Sequence, residues 1–491
     1  MTQTSWKTPV LVIADDFTGA NDAGSGLAQA GARVHVLFSS EASLEGAADV
    51  WVVSTDSRAV SAAEAAARTE AVVQRHQAFI ARGWLFKKID STLRGNIGVE
   101  LRAALAASGK KLALIVPAVP RLGRVTRNGE VWVNNVRLTD TEYASDPKTP
   151  VTSAQVLTQL GIDGEEIDLA TLHSDRFAAQ LADRRGAVVI DAEREEDIAR
   201  ILAVAAQLEE TPLLVGTAGL SDALGKQLTT VSGEQQSDAP GKPQAAVSDK
   251  QQNDALSKAL TTVSGEQQSD ALSKALAADS DKQQNDALSR ALTAVSGEPE
   301  SDARAAAPVL AIIGSMSASA QQQIAQLAAA RDIALVDVDV RQLFGQPRWP
   351  DSTRWTQQAL AALRAGKHTV IRTCQRADQR HEIEALCRQH QVTRQQLGEA
   401  ICRLLGELAR TLCRAQRPAA LYLSGGDVAI AAAQALGARG FHIQGIVAGC
   451  VPHGLLLDSE FTLPVMTKAG GFGDENTLLA AIRFIEEKSS E

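Results

Sequence analysis

The chain has 491 residues, of which 45% are hydrophobic, 22% charged and 4% aromatic, so there is apolar material for sizeable cores, and wholesale disorder or a collagen-like fibre is excluded. Its 49 basic and 58 acidic residues leave a net charge of −9, which argues against an obligate nucleic-acid binder, since that role needs a cationic surface. No apolar run approaches the roughly 20 residues of a membrane span, and no charged segment followed by an apolar one marks the amino end as a secretory signal.

A cytoplasmic protein without nucleic-acid or membrane partners is therefore expected. Its five cysteines, Cys374, Cys387, Cys402, Cys413 and Cys450, are odd in number and include no CxxC pair. That speaks for free thiols rather than a disulfide framework or structural zinc. At roughly 150 residues per domain, the length fits three units, or two larger domains and an insert.

From residue 8 to about 228, short β-rich runs alternate with alanine-rich helical stretches. Val10–Ala14, Ala32–Phe38, Val50–Ser54, Trp84–Ile89, Leu112–Val116, Val188–Asp191 and Pro212–Val215 read as buried strands. Ile97, Leu101 and Leu105 form one stripe of a helix between them. Such alternation predicts a mainly parallel sheet with helices on both faces. The segment Gly129–Leu138 differs, with two β-rich pieces flanking Asn134-Asn135, the pattern of a hairpin.

A polar stretch follows. LTTVSGEQQSDA occurs at Leu228–Ala239 and again at Leu260–Ala271, and SDKQQNDALS at Ser248–Ser257 and Ser280–Ser289, both offset by 32 residues. These repeats carry too few large apolar residues to stack a core, so an expanded linker is expected rather than a solenoid. The α/β signature then returns, with strands expected at Pro308–Gly314, Ala334–Val338, Thr369–Thr373, Ala420–Ser424, Gly445–Gly449 and Leu463–Lys468. The expected organisation is two α/β domains with mainly parallel sheets, 1–228 and 308–491, joined by a long polar repeat-containing linker, 229–307. A cleft between domains is a common place for a substrate.

Polar residues cluster where apolar strands end, which is where open α/β sheets bind ligands. Asp15 and Asp16 end the first strand and lead into a helix. One is expected to cap that helix and the other to face the substrate. Arg58 follows another strand end, where its guanidinium could grip a carboxylate or phosphate in a bidentate fork. The densest group is Lys87-Lys88-Ile89-Asp90-Ser91-Thr92-Leu93-Arg94-Gly95-Asn96. Alternation puts Lys88 and Asp90 on one face of the strand and Lys87 and Ile89 on the other. Cations, a carboxylate and hydroxyls so close together suit a polyol acid or another anion.

In the carboxyl half, Gly314-Ser315-Met316-Ser317, Ser424-Gly425-Gly426-Asp427-Val428 and Lys468-Ala469-Gly470-Gly471 each follow a strand. Glycines let backbone N–H groups approach phosphates. One such loop is also what a plain tight turn needs, whereas three at the strand ends of one domain point to a nucleotide. Gly219–Gln227 is no P-loop, having five residues between its glycines and Gln227 in place of a Ser or Thr. No G-x-G-x-x-G follows the first strand, which disfavours a nicotinamide enzyme.

Taken in order, IADDFTGANDAG, KKIDSTLRGNIG, VNNVRLTDTEYASDPKTPV, LLVGTAGL, GSMS, SGGDVA and KAGGFGDENTL resemble the four-carbon acid sugar kinase family. The resemblance spans both α/β domains and omits only the repeats. It implies an amino-terminal domain that holds a sugar acid and a carboxyl-terminal one that holds ATP with Mg2+. By position, the acid site would comprise Asp15, Asp16, Arg58, Lys88, Ile89, Asp90, Ser91 and Arg94. The nucleotide site would comprise Ser315, Gly425, Gly426, Asp427, Val428 and Gly471.

Within the family, KKIDSTLRGN and ASDPKTP are most similar to enzymes of D-threonate, with D-erythronate, L-threonate and 3-oxo-tetronate as the other acceptors. The expected chemistry is phosphorylation of the terminal hydroxyl, with Asp15 or Asp16 as general base, Arg58 and Lys88 on the substrate carboxylate, and Asp90 and Ser91 on its hydroxyls. Two rivals stand beside it: a dehydrogenase or aldolase of the same acids, and a non-catalytic sugar-acid sensor recruiting partners through the repeats. A homo-oligomer is compatible with the sequence, and His453 in Cys450–Gly454 is expected to be structural.

Overall fold

The computed structural model describes residues 4–6, 8–145, 150–231, 308–376 and 379–488. The repeats and the Asp146–Thr149 part of ASDPKTP lie outside the described residues. The chain divides into two compact α/β units. The first takes in the described residues up to 231 together with 440–445, and the second takes in 308–439 and the described residues from 446 on.

The first unit is built on strands β2 (Val10–Ala14), β3 (Val34–Leu37), β4 (Val50–Ser54), β5 (Trp84–Lys88), β6 (Leu112–Val116), β10 (Gly164–Ile167), β11 (Gly186–Ile190) and β12 (Leu213–Gly216). They lie in the order β10-β11-β6-β12-β5-β2-β4-β3, each parallel to its neighbour. Every residue of β2, β4, β5 and β6 is buried, as a parallel sheet covered on both faces requires. β-Branched residues dominate β2 and β4 because they pack well on a pleated surface.

Residues 440–443 run antiparallel to β3, Gly440 opposite Leu37 and Ile443 opposite Val34. A short antiparallel pair, β1 (Thr4–Trp6) with β13 (Thr229–Val231), joins the two ends of the described stretch 4–231.

The Asn-Asn hairpin is present. β7 (Arg124–Arg127), β8 (Glu130–Val133) and β9 (Val136–Arg137) form a small antiparallel sheet. Asn134 and Asn135 hold φ of 50° and 63° between Val133 and its partner Val136, the left-handed pair that a two-residue hairpin turn needs. The β10 strand, GEEI, is one the sequence reading did not anticipate. Its first three residues are exposed, so it carries no apolar run.

In the second unit, β14 (Val309–Ile313), β15 (Ile333–Asp337), β16 (His368–Arg372), β17 (Ala420–Ser424) and β20 (Val465–Lys468) are parallel in the order β20-β17-β14-β16-β15. β19 (Val451–Leu457) pairs antiparallel with β20. The strand expected at Gly445–Gly449 is instead β18, Gly440–Val447. Ala448 and Gly449, at φ 50° and 72°, make the turn into β19, which the sequence reading also lacked. Half-buried and exposed positions interrupt the apolar pattern of β18, which hides it from a search for alternation.

Around β14 and β17 the core includes Ile324, Leu327, Tyr422, Met466 and Ile482. His453 is buried with its ring 4.6 Å from that of Phe484, a packing position. The five cysteines are free thiols. No described helix is long and apolar enough to cross a membrane.

Candidate functional site

Strands β2, β4 and β5 are neighbours in perfect register at their carboxyl ends, with Ala14 opposite Ser54 on one side and Lys88 on the other. The loops leaving them therefore converge. Asp15 is 1% exposed, and Arg58 grips it with both arms of its guanidinium, Nε to Oδ2 at 2.7 Å and Nη2 to Oδ1 at 3.0 Å. A third nitrogen, Nη1, lies 2.6 Å from Asp16 Oδ2.

Asp16 caps the helix Phe17–Gln29 by accepting the Gly19 N–H at 2.6 Å. So one aspartate does cap the helix. The other does not stand open to a ligand but lies beneath Arg58, because a buried carboxylate needs a paired cation. Gly95, at φ +97°, allows this packing: a Cβ there would sit 3.3 Å from Asp15 Oδ2 and 3.4 Å from Arg58 Cγ.

The two carboxyls are tuned apart. Burial pushes Asp15 up, but the Arg58 charge and hydrogen bonds outweigh it and the group settles below its ordinary value. Burial also raises Asp16, the Asp15 charge adds to that, and Arg58 opposes, leaving it above its ordinary value. Its side chain is 25% exposed, so of the pair it is the one within reach of a ligand.

Asp90 is matched with Arg94, Nε to Oδ2 at 2.8 Å and Nη2 to Oδ1 at 3.0 Å, and its Oδ2 also accepts the Thr92 hydroxyl. Burial raises the Asp90 carboxyl, yet Arg94 and then Arg58 hold it well below the usual range. Lys88 Nζ donates to the Ile89 carbonyl at 3.1 Å and lies 3.4 Å from Asp22.

Beneath these groups is a support that sequence reasoning did not use. Lys87 and Glu100 are both wholly buried and pair at 3.0 Å. Glu100 also accepts the Ser57 hydroxyl, Ser57 Oγ lies 2.7 Å from Thr55 Oγ1, and Thr55 Oγ1 donates to the Ala14 carbonyl at 3.0 Å. The loop carrying Arg58 is thus tied to β2 and to the helix Ile97–Ser108. The signal was the carboxylate inside an apolar helical stripe, three residues beyond Ile97.

The small sheet of the hairpin contributes another unanticipated residue. Arg124 donates from Nη1 to the Ser91 hydroxyl and from Nη2 to the Tyr143 hydroxyl at 3.4 Å. No local pattern marks Arg124, which reaches Ser91 only through the tertiary fold.

In the second unit, β14, β17 and β20 also end in register, Ile313 opposite Ser424 and Ser424 opposite Lys468. Their loops meet. Ser317 caps the helix Ala318–Ala330 and donates to the Gly470 carbonyl at 2.8 Å, and Ser317 Oγ lies 3.0 Å from Ser315 Oγ. Gly425, at φ +109°, opens the helix Gly426–Ala435 and places no capping side chain over its start. A Cβ on Gly471 would meet nothing within 4 Å, so this backbone stays approachable.

Lys468 Nζ, which the sequence reading left aside, donates to the carbonyls of Ala469, Gly470 and Phe472 at 2.7, 3.0 and 2.9 Å. Burial pushes it down to about 8. A helix start opened by glycine, small residues and hydroxyls form a cradle suited to phosphates. Its hydroxyl oxygens, those of Ser315 and Ser317, suit a hard cation arriving with those phosphates.

Comparison with known proteins places both loop clusters inside matched domains. Residues 10–224 match the model of a sugar-binding N-terminal domain, and residues 310–478 that of a nucleotide-binding C-terminal domain. The chain is 35% identical to a D-threonate kinase of Salmonella typhimurium, over 97% of this chain and 98% of that one. It is 28% identical to a D-erythronate kinase of Heliobacterium modesticaldum, over 98% of each. A solved structure from Salmonella typhimurium LT2, 21% identical, aligns with a TM-score of 0.70 over 97% of this chain and 99% of that one, which is a likeness of fold.

Proposed function

Since the chain belongs to the four-carbon acid sugar kinase family, we propose that it transfers the γ-phosphoryl group of ATP to the terminal hydroxyl of D-threonate, giving D-threonate 4-phosphate. The observation that carries this reading is the convergence of Asp15, Asp16, Arg58 and the Lys88–Arg94 loop at three registered strand ends of the matched sugar-binding domain. The preference for D-threonate rests on the relative named above.

The acid sugar is held by the Lys88–Ser91 run, with the Ile89 backbone, Asp90 and Arg94 orienting its hydroxyls. Arg58 carries the charge of Asp15 and Asp16, so its part is to fix the two carboxylates and line the site. Asp16 is the general base. It is accessible, and burial raises it toward the range in which a carboxylate takes a proton from a hydroxyl being phosphorylated. Asp15 positions Arg58. The ATP phosphates lie on the amides of Gly425–Val428 and against Ser315 and Gly471. Mg2+ bound with them would draw off phosphate charge. Phosphoryl transfer asks the protein for little covalent chemistry, so holding two reactants and one proton acceptor in place is most of the work.

The test is ADP release by the full chain with D-threonate, L-threonate, D-erythronate and 3-oxo-tetronate, with 31P NMR locating the phosphate on the product. D-Threonate should give the highest kcat/KM and a phosphate on O4. Release equal without any acid would defeat the reading, and a higher kcat/KM with another acid would replace the substrate.

A further inference from the structure

The charges at the first unit's strand ends can be accounted for one by one. Arg58 faces two carboxylates, Asp15 and Asp16. Arg94 is matched with Asp90, Lys87 with Glu100, and Lys88 has Asp22 at 3.4 Å. Arg124 is different. Its bonds go to two neutral hydroxyls, those of Ser91 and Tyr143, and among the described residues no carboxylate pairs with it.

Arg124 is also held in place rather than left on a loose stem. Its backbone is bonded both ways to Val119, N–H to carbonyl at 3.2 Å and carbonyl from N–H at 2.8 Å. Its guanidinium carbon lies 5.9 Å from the ring centre of the buried Tyr143, and that ring also has the Arg94 guanidinium 5.6 Å away. A half-buried guanidinium without a counter-charge costs stability unless an anion completes it. A guanidinium has five donors in a planar fork that matches a carboxylate.

We propose that Arg124, with the Ser91 hydroxyl beside it, binds the carboxylate of the sugar acid and sets the preference for an acid over a neutral polyol. The inference rests on the reading of this site as the acid-sugar site, and it moves the carboxylate contact from Arg58, whose charge is already taken up, to the hairpin. The hairpin then has a function: it brings to the end of β5 a cation not matched, among the described residues, with a carboxylate, as Lys88 and Arg94 are.

The test is calorimetric binding to the full chain without nucleotide, comparing D-threonate with its neutral amide, which has the same carbon skeleton and hydroxyls. Wild type should bind the acid at least about tenfold tighter than the amide, and Arg124→Gln should bring the two within about twofold by weakening the acid alone. A preference unchanged in Arg124→Gln, or a wild type that binds acid and amide alike or binds neither, overturns the proposal.

Should Arg124→Gln fail to fold, phenylglyoxal labelling of wild type read by mass spectrometry decides instead. Saturating D-threonate should shield Arg124, and equal labelling with and without the acid overturns the proposal. Binding is read apart from turnover. A wild type that binds the acid through Arg124 yet releases no ADP would defeat the kinase reading and leave this one standing.

Discussion

The two aspartates that end β2 are adjacent in sequence and differ in everything around them. Asp15 is sealed under Arg58, while Asp16 is partly open, caps a helix and is raised by burial. Replacing Asp16 with Asn is a clean probe, because Asn caps a helix as well as Asp does but cannot accept the proton. Asp16→Asn should lower kcat at least about a hundredfold with the melting temperature little changed, as read by ADP release and thermal unfolding. The acid limb of the wild-type kcat profile should lie above the ordinary aspartate value, since the base works only once deprotonated. Asp15→Asn should act mainly on stability, by about 3 kcal/mol, because it leaves a partly buried guanidinium short of a partner. The same logic applies to Lys87 and Glu100. Either single replacement by an apolar residue strands a buried charge and should cost roughly 3–5 kcal/mol, while Lys87→Met with Glu100→Leu should recover much of the loss in denaturant unfolding.

At the scale of elements, strand ends do the positioning, and this is the level at which the sequence was most legible. Buried parallel strands such as Val10–Ala14 and Ala420–Ser424 are continuous apolar runs and can be read directly. The glycine and aspartate turns after them mark the ligand side of the sheet. Polar or interrupted strands could not be read this way: Gly164–Ile167 exposes its first three residues and Gly440–Val447 breaks its own apolar pattern. Among residues of the candidate site, those in the turn directly after a strand could be picked out from the sequence. Glu100, Arg124 and Tyr143 were not, because their roles exist only once distant segments pack together. Lys468 is intermediate, present in the motif but given meaning by the three carbonyls around it. Its ammonium ties the loop that carries Gly471, and that tie loosens as the proton leaves. ADP affinity should therefore fall as pH rises through about 8. In Lys468→Met it should be weak at pH 7 already and flat with pH, as measured by calorimetry. A wild-type affinity constant from pH 7 to 9 would contradict the role.

Over the whole molecule, the two matched domains leave out residues 225–309, which include the 32-residue repeats. Deleting 248–296 should accordingly leave kcat/KM for D-threonate within about threefold of wild type, since no proposed ligand contact is removed. Loss of activity or solubility on that deletion would assign the repeats a working part. The central claim is a division of labour: the first unit's strand ends take the sugar acid and the second unit's loops take the nucleotide. Hydrogen–deuterium exchange on the intact chain, with D-threonate and with a non-hydrolysable ATP analogue added separately, tests it most directly. The acid should protect peptides covering 15–22, 55–58, 88–96 and 124–127, and the nucleotide analogue those covering 314–317, 425–428 and 468–473. Protection of the second set by the acid, or of neither set by its assigned ligand, would contradict the assignment.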